Sequence, residues 1–384
     1  MLKMLATADV HVGMKFGSYG AAGATLAEAR FAVLETIVGH ANERSCDVLV
    51  CAGDVFESVR VARRDVKRVA AILSGFDGRV VAVLPGNHDF HNPELESLWQ
   101  VFRENAGDRV IVLDTPEPYD LDRFDCDAVI LPAPCTSKHS STPATEWIST
   151  YERTDERPVI GVAHGSIDGL TPDTDGRYFP MQRENLLDLP VDIWIIGHTH
   201  APYPTVPEGR LYVPGTPEPD GFDCNHSGSA VEFALDGRTI ENSTLLPTGR
   251  YRFVRRSIRI DRTTDAERVR AAILADQTHQ PSRTDHEAGR LPPVEDDRLY
   301  RLELSGTAPR SVHDQIISEL RELESSALYA QVKTESLKVD VDPRELDSEL
   351  PTGSFANTVV AELLAEERLD AANLAFEIAR KVRS

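Results

Sequence analysis

Residues 80–89 read Val80-Val81-Ala82-Val83-Leu84-Pro85-Gly86-Asn87-His88-Asp89. Five consecutive apolar residues without polar alternation are the pattern of a strand buried on both faces. Pro85 and Gly86 end such a strand, because proline has no N–H for a ladder and glycine turns easily. Three polar side chains then arrive together at the strand's carboxyl end. In a parallel α/β sheet that is the edge where ligands bind.

The same arrangement recurs on both sides of this stretch. Met4-Leu5-Ala6 leads to Asp9-Val10-His11, and Val48-Leu49-Val50 leads to Gly53-Asp54. The run from Val159 to Ala163 leads to His164-Gly165, and Ile193 to Ile196 lead to Gly197-His198-Thr199-His200. Two further apolar runs, Val110 to Leu113 and Ala128 to Leu131, carry no polar cluster. Amphipathic patterns separate the runs. Leu26 to Asn42 places Arg30, Leu34, Ile37, Val38 and Ala41 at helical spacing, the apolar members forming a buried face. Helices are also expected near Val61 to Leu73 and Glu94 to Asn105. Strands alternating with helices predict a layered α/β sandwich. From Arg210 to Leu246 the pattern becomes all-β, with Leu211 to Val213 and Ala230 to Leu235 as strands and Asp236-Gly237 as a hairpin turn.

The polar clusters make one chemical set: two aspartates (Asp9, Asp54), four histidines (His11, His164, His198, His200) and one asparagine (Asn87), with His88 and Asp89 directly after Asn87. Mixed oxygen and nitrogen donors suit Mn²⁺, Fe²⁺ or Zn²⁺ better than Mg²⁺. The set exceeds one open site. Two metals sharing a carboxylate would use it, and such pairs drive in-line displacement at phosphorus. The glycines at 53, 86, 165 and 197 let the backbone approach closely. Taken singly, each motif also reads as an ordinary turn or helix cap. Five in order, each after a strand, point to a shared site.

The ordered set Asp-x-His, Gly-Asp, Gly-Asn-His-Asp, His, Gly-His-x-His resembles the calcineurin-like metallophosphoesterase superfamily over residues 1 to about 235. Gly53-Asp54-Val55-Phe56 and Val213-Pro214-Gly215-Thr216-Pro217 resemble its SbcD-like DNA-repair exonucleases, particularly the YhaO-type branch. The resemblance implies a two-sheet αββα sandwich and a dinuclear centre of divalent ions, Mn²⁺ foremost. It implies that Asp9, His11 and His200 hold the first metal, that Asn87, His164 and His198 hold the second, and that Asp54 bridges them. It makes His88 the catalytic residue over the scissile phosphate and Asp89 a support for the loop. It also implies DNA as substrate and an SMC-type coiled-coil ATPase as partner, with a homodimer left open. One position departs: Glu57 stands where related archaeal and eukaryotic nucleases carry a histidine tied to exonuclease action.

Beyond residue 250 the composition changes. A small α+β domain is expected over 251–345, after a nuclease domain at 1–250, and a helical tail over 346–384. Within it, strands are expected at Arg252 to Ile260, Leu299 to Leu304 and Tyr329 to Val332, and helices at Asp265 to Ala275 and Val312 to Leu323. Asp276 to Asp297 reads as a polar loop. The tail holds two amphipathic helices, Phe355 to Glu366 and Leu369 to Val382, whose apolar stripes either pack back on their own domain or dock on a coiled coil.

The net charge of −21 is awkward for a nucleic-acid protein. It points to a non-nucleic-acid substrate, to a local basic patch, or to an acidic surface adapted to high salt. Arg60, Arg63, Arg64, Lys67 and Arg68 form a basic cluster near Asp54 that could grip a DNA backbone; a solvated helix face is the plainer reading. Arg250, Arg252, Arg255 and Arg256 form another. His91 and His226 read as loop histidines, and Trp99, Trp147 and Trp194 as packing residues. Five cysteines without a CxxC pair suggest a reducing cytoplasm. No apolar run reaches the ~18 residues of a membrane span. A phosphatase or phosphodiesterase of small molecules or phosphoproteins is the rival function, since the same metal site would serve it.

Overall fold

The structure is a computed structural model. It describes all residues except 93–97, 172, 174, 207–208, 262–263, 275–296, 342–345 and 384, and for 274, 348, 370, 377, 380, 381 and 383 only the backbone. The polar loop expected at 276–297 and the start of the helix expected at Glu94 lie almost wholly outside the described residues. The chain forms two compact units, the first being Met1–Arg252.

In chain order the first unit contains β1 (Leu2–Thr7), α1 (Ala22–Glu43), β2 (Val48–Ala52), α2 (Arg63–Ser74), β3 (Val80–Leu84), α3 (Leu98–Asn105), β4 (Val110–Val112), β5 (Tyr119–Asp120), β6 (Val129–Ala133), β7 (Val159–His164), α4 (Arg183–Asp188), β8 (Ile193–Gly197), β9 (Leu211–Tyr212), β10 (Ser229–Asp236) and β11 (Thr239–Pro247). One sheet runs β11-β10-β1-β2-β3-β4 and the other β5-β6-β7-β8-β9. The strands β1 to β4 are parallel, as are β6 to β9, while β10 returns antiparallel beside β1 and turns into β11 through Gly237 and Arg238, one residue past the expected turn because Asp236 still pairs with Thr239.

The unbroken apolar runs follow from burial on two sides. Between the sheets, Met4, Ala6, Val48, Val50, Ala82 and Leu84 meet Ile130, Ile160, Val162, Ile193 and Ile195. The alternate residues Leu5, Leu49, Cys51, Val81 and Val83 pack outward under Leu34, Ile37, Val66, Val69 and Phe102 of the helices. On the far side Leu131, Ala163, Trp194 and Ile196 pack with Leu186 of α4. The result is an αββα sandwich in which β1, β2, β3, β7 and β8 all end on one edge.

The second unit contains β12 (Arg252–Ile260), α5 (Ala266–Leu274), β13 (Arg298–Pro309), α6 (Arg310–Ser326), β14 (Tyr329–Asp340), α7 (Leu346–Glu349), α8 (Phe355–Ala365) and α9 (Leu369–Arg383). β13 and β14 are parallel and joined through α6, and the sheet order is β12-β13-β14. Its core holds Ile260, Val269, Tyr300, Leu302, Leu304, Ile316 and Leu320. A separate cluster of Val341, Leu346, Leu350, Val360, Ala372 and Phe376 ties the last helices together. Ser354 caps α8 by accepting the Asn357 N–H at 3.2 Å. In α9 the covered side carries Ala372 and Phe376, so the stripe of Leu374, Ile378 and Val382 lies 50%, 54% and 82% exposed; Phe355 is 86% exposed. No described helix is long and apolar enough to cross a membrane.

Candidate metal centre

The polar clusters of the five strand ends meet. Residues after β1 and β2 run side by side beyond the sheet: His11 N–H donates to the Asp54 carbonyl at 2.9 Å, Val12 to Val55 at 2.9 Å, and Glu57 back to Val12 at 3.0 Å. This path forces left-handed backbone on Asp9, His11 and Asp54 (φ 55°, 53° and 52°), and His198 has φ 94°. Such conformations cost a residue with a Cβ and persist where the surroundings impose them, commonly at functional sites. Gly53 (φ 90°) and Gly86 show why glycine is required. A Cβ at Gly53 would fall 2.1 Å from Nδ1 of His164, and one at Gly86 would fall 2.2 Å from Oδ1 of Asp54.

Asp54 lies at the middle. Its Oδ1 accepts the His88 N–H at 2.8 Å. Its Oδ2 lies 3.2 Å from Nε2 of His164 and 3.8 Å from Nε2 of His11. Asn87 Oδ1 lies 3.0 Å from both His164 Nε2 and His198 Nδ1. On the other side, Nε2 of His11 faces Nε2 of His200 at 3.2 Å. Asp9 is fully buried and accepts the His198 N–H on both oxygens at 2.9 and 3.0 Å. Two groups could each hold a cation: Asp9, His11 and His200, and Asp54, His164 and His198. His11, Glu57 and His88 form a third cluster of the same kind.

The donor set fits metal ions. His200 Nδ1 is 2.7 Å from Asp220 Oδ2, and His164 Nδ1 is 3.0 Å from the Ala52 carbonyl. Those acceptors take the Nδ1 protons, so each Nε2 points a lone pair, or a second proton, into the cluster. Carboxylate and amide oxygens point to the same place, and the Asn87 Nδ2 is buried without a hydrogen-bond partner. The cluster draws positive charge. Burial opposes a charge on His164, yet Asp54 and Asp9 push its pKa up to about 9. Burial likewise opposes a charge on His200, but Asp220 and Asp9 push it up to about 9. Burial and the neighbouring His164 push His198 down to about 3. Asp54 is pushed the other way by burial, but His164 and His11 prevail and hold it below the usual range.

His88 stands at the rim, its side chain 31% exposed. Its ring meets that of His11 edge to face at 5.0 Å. Nδ1 donates to the Glu57 carbonyl at 3.0 Å, which leaves Nε2 as its other nitrogen. Asp89 is wholly buried and accepts N–H groups of Gly86 at 2.6 Å and Phe56 at 3.0 Å, stapling the loop after β3 to the loop after β2. Burial, then Asp54, pushes its pKa up to about 7. Trp99 donates its indole N–H to the Asp89 carbonyl at 2.5 Å.

Other residues separate from the cluster. Arg68 turns toward α1: it makes paired bonds to Glu28 at 2.8 and 2.5 Å and lies 4.0 Å over the Phe31 ring. Arg60, Arg63, Arg64 and Lys67 are exposed. His91 pairs with Asp114 at 3.4 Å, and His226 Nδ1 accepts the Gly228 N–H at 3.1 Å. Trp99 and Trp194 are fully buried in the core. Asp220 and Arg30 are contributors that motif reading does not find, and Thr216, which lies in a quoted motif, gains its role only from the structure. Thr216 donates to the Asp9 carbonyl at 2.9 Å. Arg30 is fully buried and donates to the Glu218 and Pro219 carbonyls at 2.7 and 3.2 Å, holding the loop that carries Asp220.

The family model described as calcineurin-like phosphoesterase matches residues 2–202. The chain belongs to this family, whose members use a dinuclear divalent metal centre. Solved structures similar to it include TT1561 of Thermus thermophilus (14% identity, 64% of this chain and 98% of that one, TM-score 0.38). The calcineurin-like phosphoesterase YfkN from Bacillus subtilis (12%, 64% and 89%, 0.34) is another. So is a dimetal phosphatase from Danio rerio (12%, 64% and 99%, 0.37). A search of curated proteins returns no match.

Proposed function

We propose that this phosphoesterase is a metal-dependent DNA nuclease that hydrolyses phosphodiester bonds in double-strand break repair or end processing. The observation that carries the reading is the convergence of Asp9, His11, Asp54, Asn87, His164, His198 and His200 with His88 at the rim. The second unit, beyond what phosphate hydrolysis needs, supports a polymeric substrate.

In this reading Asp9, His11 and His200 would hold one divalent ion and Asn87, His164 and His198 the other, with Asp54 between them, its Oδ2 3.2 Å from His164 and 3.8 Å from His11. Mn²⁺ suits the donors. When bound, the ions supply Lewis-acid activation of the phosphate and of the attacking water. His88 would lie over the scissile phosphate, stabilising charge there or passing a proton from Nε2 to the leaving oxygen as the P–O bond breaks. Asp89 and Trp99 keep its loop in place. Arg60, Arg63, Arg64 and Lys67 offer exposed positive charge to a DNA backbone. The exposed stripe of Leu374, Ile378 and Val382 suits an SMC-type coiled-coil ATPase. A cytoplasmic setting and a homodimer belong to the same reading.

The net charge of −21 favours a second reading, a phosphatase or phosphodiesterase of small molecules or phosphoproteins. Incubation of the Mn²⁺-loaded protein with labelled single-stranded, blunt and hairpin DNA separates them. Metal-dependent cleavage of any of these supports the nuclease reading; intact DNA throughout, with phosphomonoesters hydrolysed, supports the second.

A further inference from the structure

The histidines of the centre are not braced alike. On the side of Asp9, both ring Nδ1 atoms face carboxylates: His200 meets Asp220 Oδ2 at 2.7 Å, and His11 meets Glu57 Oε2 at 3.0 Å, off the line of a hydrogen bond. On the other side His164 Nδ1 meets only the neutral Ala52 carbonyl at 3.0 Å. His198 turns its Nδ1 inward, to Asn87 Oδ1 at 3.0 Å. Asp220 also accepts from Cys224 Sγ at 3.0 Å, and the Glu57 main chain is tied to Val12 at 3.0 Å.

We infer that Glu57 and Asp220 are positioning residues for the ion held by Asp9, His11 and His200, and that they make this site the tighter of the two. The inference rests on the dinuclear reading of the centre. A carboxylate on Nδ1 fixes the tautomer, aims Nε2 and makes it a stronger donor, and losing such a partner commonly costs about 10–100-fold in metal affinity. A backbone carbonyl does the first two without adding charge. Glu57 is thereby given a role in metal holding, in addition to its contact with His88. Its main-chain carbonyl orients His88 while its side chain braces His11.

The test is Mn²⁺ binding by calorimetry to the metal-stripped full chain, which reads affinity without hydrolysis. The wild type should show two classes of site. Asn87→Ala should remove the weaker class and so assign it. Glu57→Ala and Asp220→Ala should each weaken the tighter class by about 10–100-fold and leave the weaker class unchanged. Glu57→Gln and Asp220→Asn, which keep a neutral acceptor, should fall between, and they replace the alanine variants should those unfold. Equal weakening of both classes, weakening of the Asn87 class alone, or no change overturns the inference. Failure to cleave DNA with this binding pattern intact overturns the nuclease reading alone; a wild type that binds no metal overturns both.

Discussion

The Oδ2 atom of Asp54 lies 3.2 Å from Nε2 of His164, and the same oxygen lies 3.8 Å from Nε2 of His11. One carboxylate therefore borders both halves of the centre. Asp54→Ala should abolish binding of both ions, whereas His198→Ala should mainly weaken the ion on the Asn87 side. Elemental analysis that finds two ions in purified Asp54→Ala would count against the shared carboxylate.

His88 touches the centre through its backbone N–H and braces its ring on the Glu57 carbonyl. His88→Ala should keep both ions and turn over roughly 10²–10⁴-fold more slowly. The loss should shrink with p-nitrophenolate as leaving group, which needs no proton. Equal losses on DNA and on the activated ester would remove the acid role.

Glu57 sets a carboxylate, 32% exposed, beside His88, and under the proposed nuclease function it would stand where end-degrading nucleases carry a histidine. Endonuclease or flap cleavage should therefore exceed degradation of paired ends. Glu57→His should raise end degradation relative to hydrolysis of bis-p-nitrophenyl phosphate by the same preparation, a ratio that cancels any metal loss. Processive degradation of blunt duplex by the wild type would sink this expectation.

Glu218 is 2% exposed and accepts the N–H groups of Arg250 and Tyr251, each at 2.8 Å. Burial outweighs those bonds and pushes its pKa from 4.5 up to about 7. A raised carboxyl contributes stability that is fully present below the unfolded value and is lost as pH rises through the folded one. The Tm of the wild type relative to Glu218→Gln should therefore fall between about pH 4.5 and 7 and level off above. A difference that rises with pH would reverse the assignment.

Much of this was open to a reader of the sequence because the strands are buried twice. Val80 to Leu84 has no polar face, so the run, its end and the polar residues after it stand out. The bracing residues do not stand out. Asp220 lies in a proline- and glycine-rich loop where an aspartate is ordinary. Arg30 sits at core spacing on α1, and its burial depends on carbonyls 188 and 189 positions away. Periodicity finds the tail helices, but a helix with apolar residues on two sides does not say which is covered; packing on Phe376 and Ala372 decides it.

The exposed stripe of α9 leads to a partner experiment. Deleting residues 354–384 should abolish co-purification with an SMC-type ATPase and leave hydrolysis of the activated ester intact. Because Val360 and Phe376 are buried at 0% and 4%, the substitutions Leu374→Glu and Ile378→Glu test the surface without emptying that cluster. Retained co-purification in these variants would exclude the stripe as the docking face.

The most direct measurement is the rate of p-nitrophenolate release from bis-p-nitrophenyl phosphate and from p-nitrophenyl phosphate by the Mn²⁺-loaded protein, with and without a chelator. A dinuclear phosphodiesterase should cleave the diester faster than the monoester, and the chelator should stop both. Turnover that survives chelation, or a protein that cleaves the monoester alone, would contradict the account.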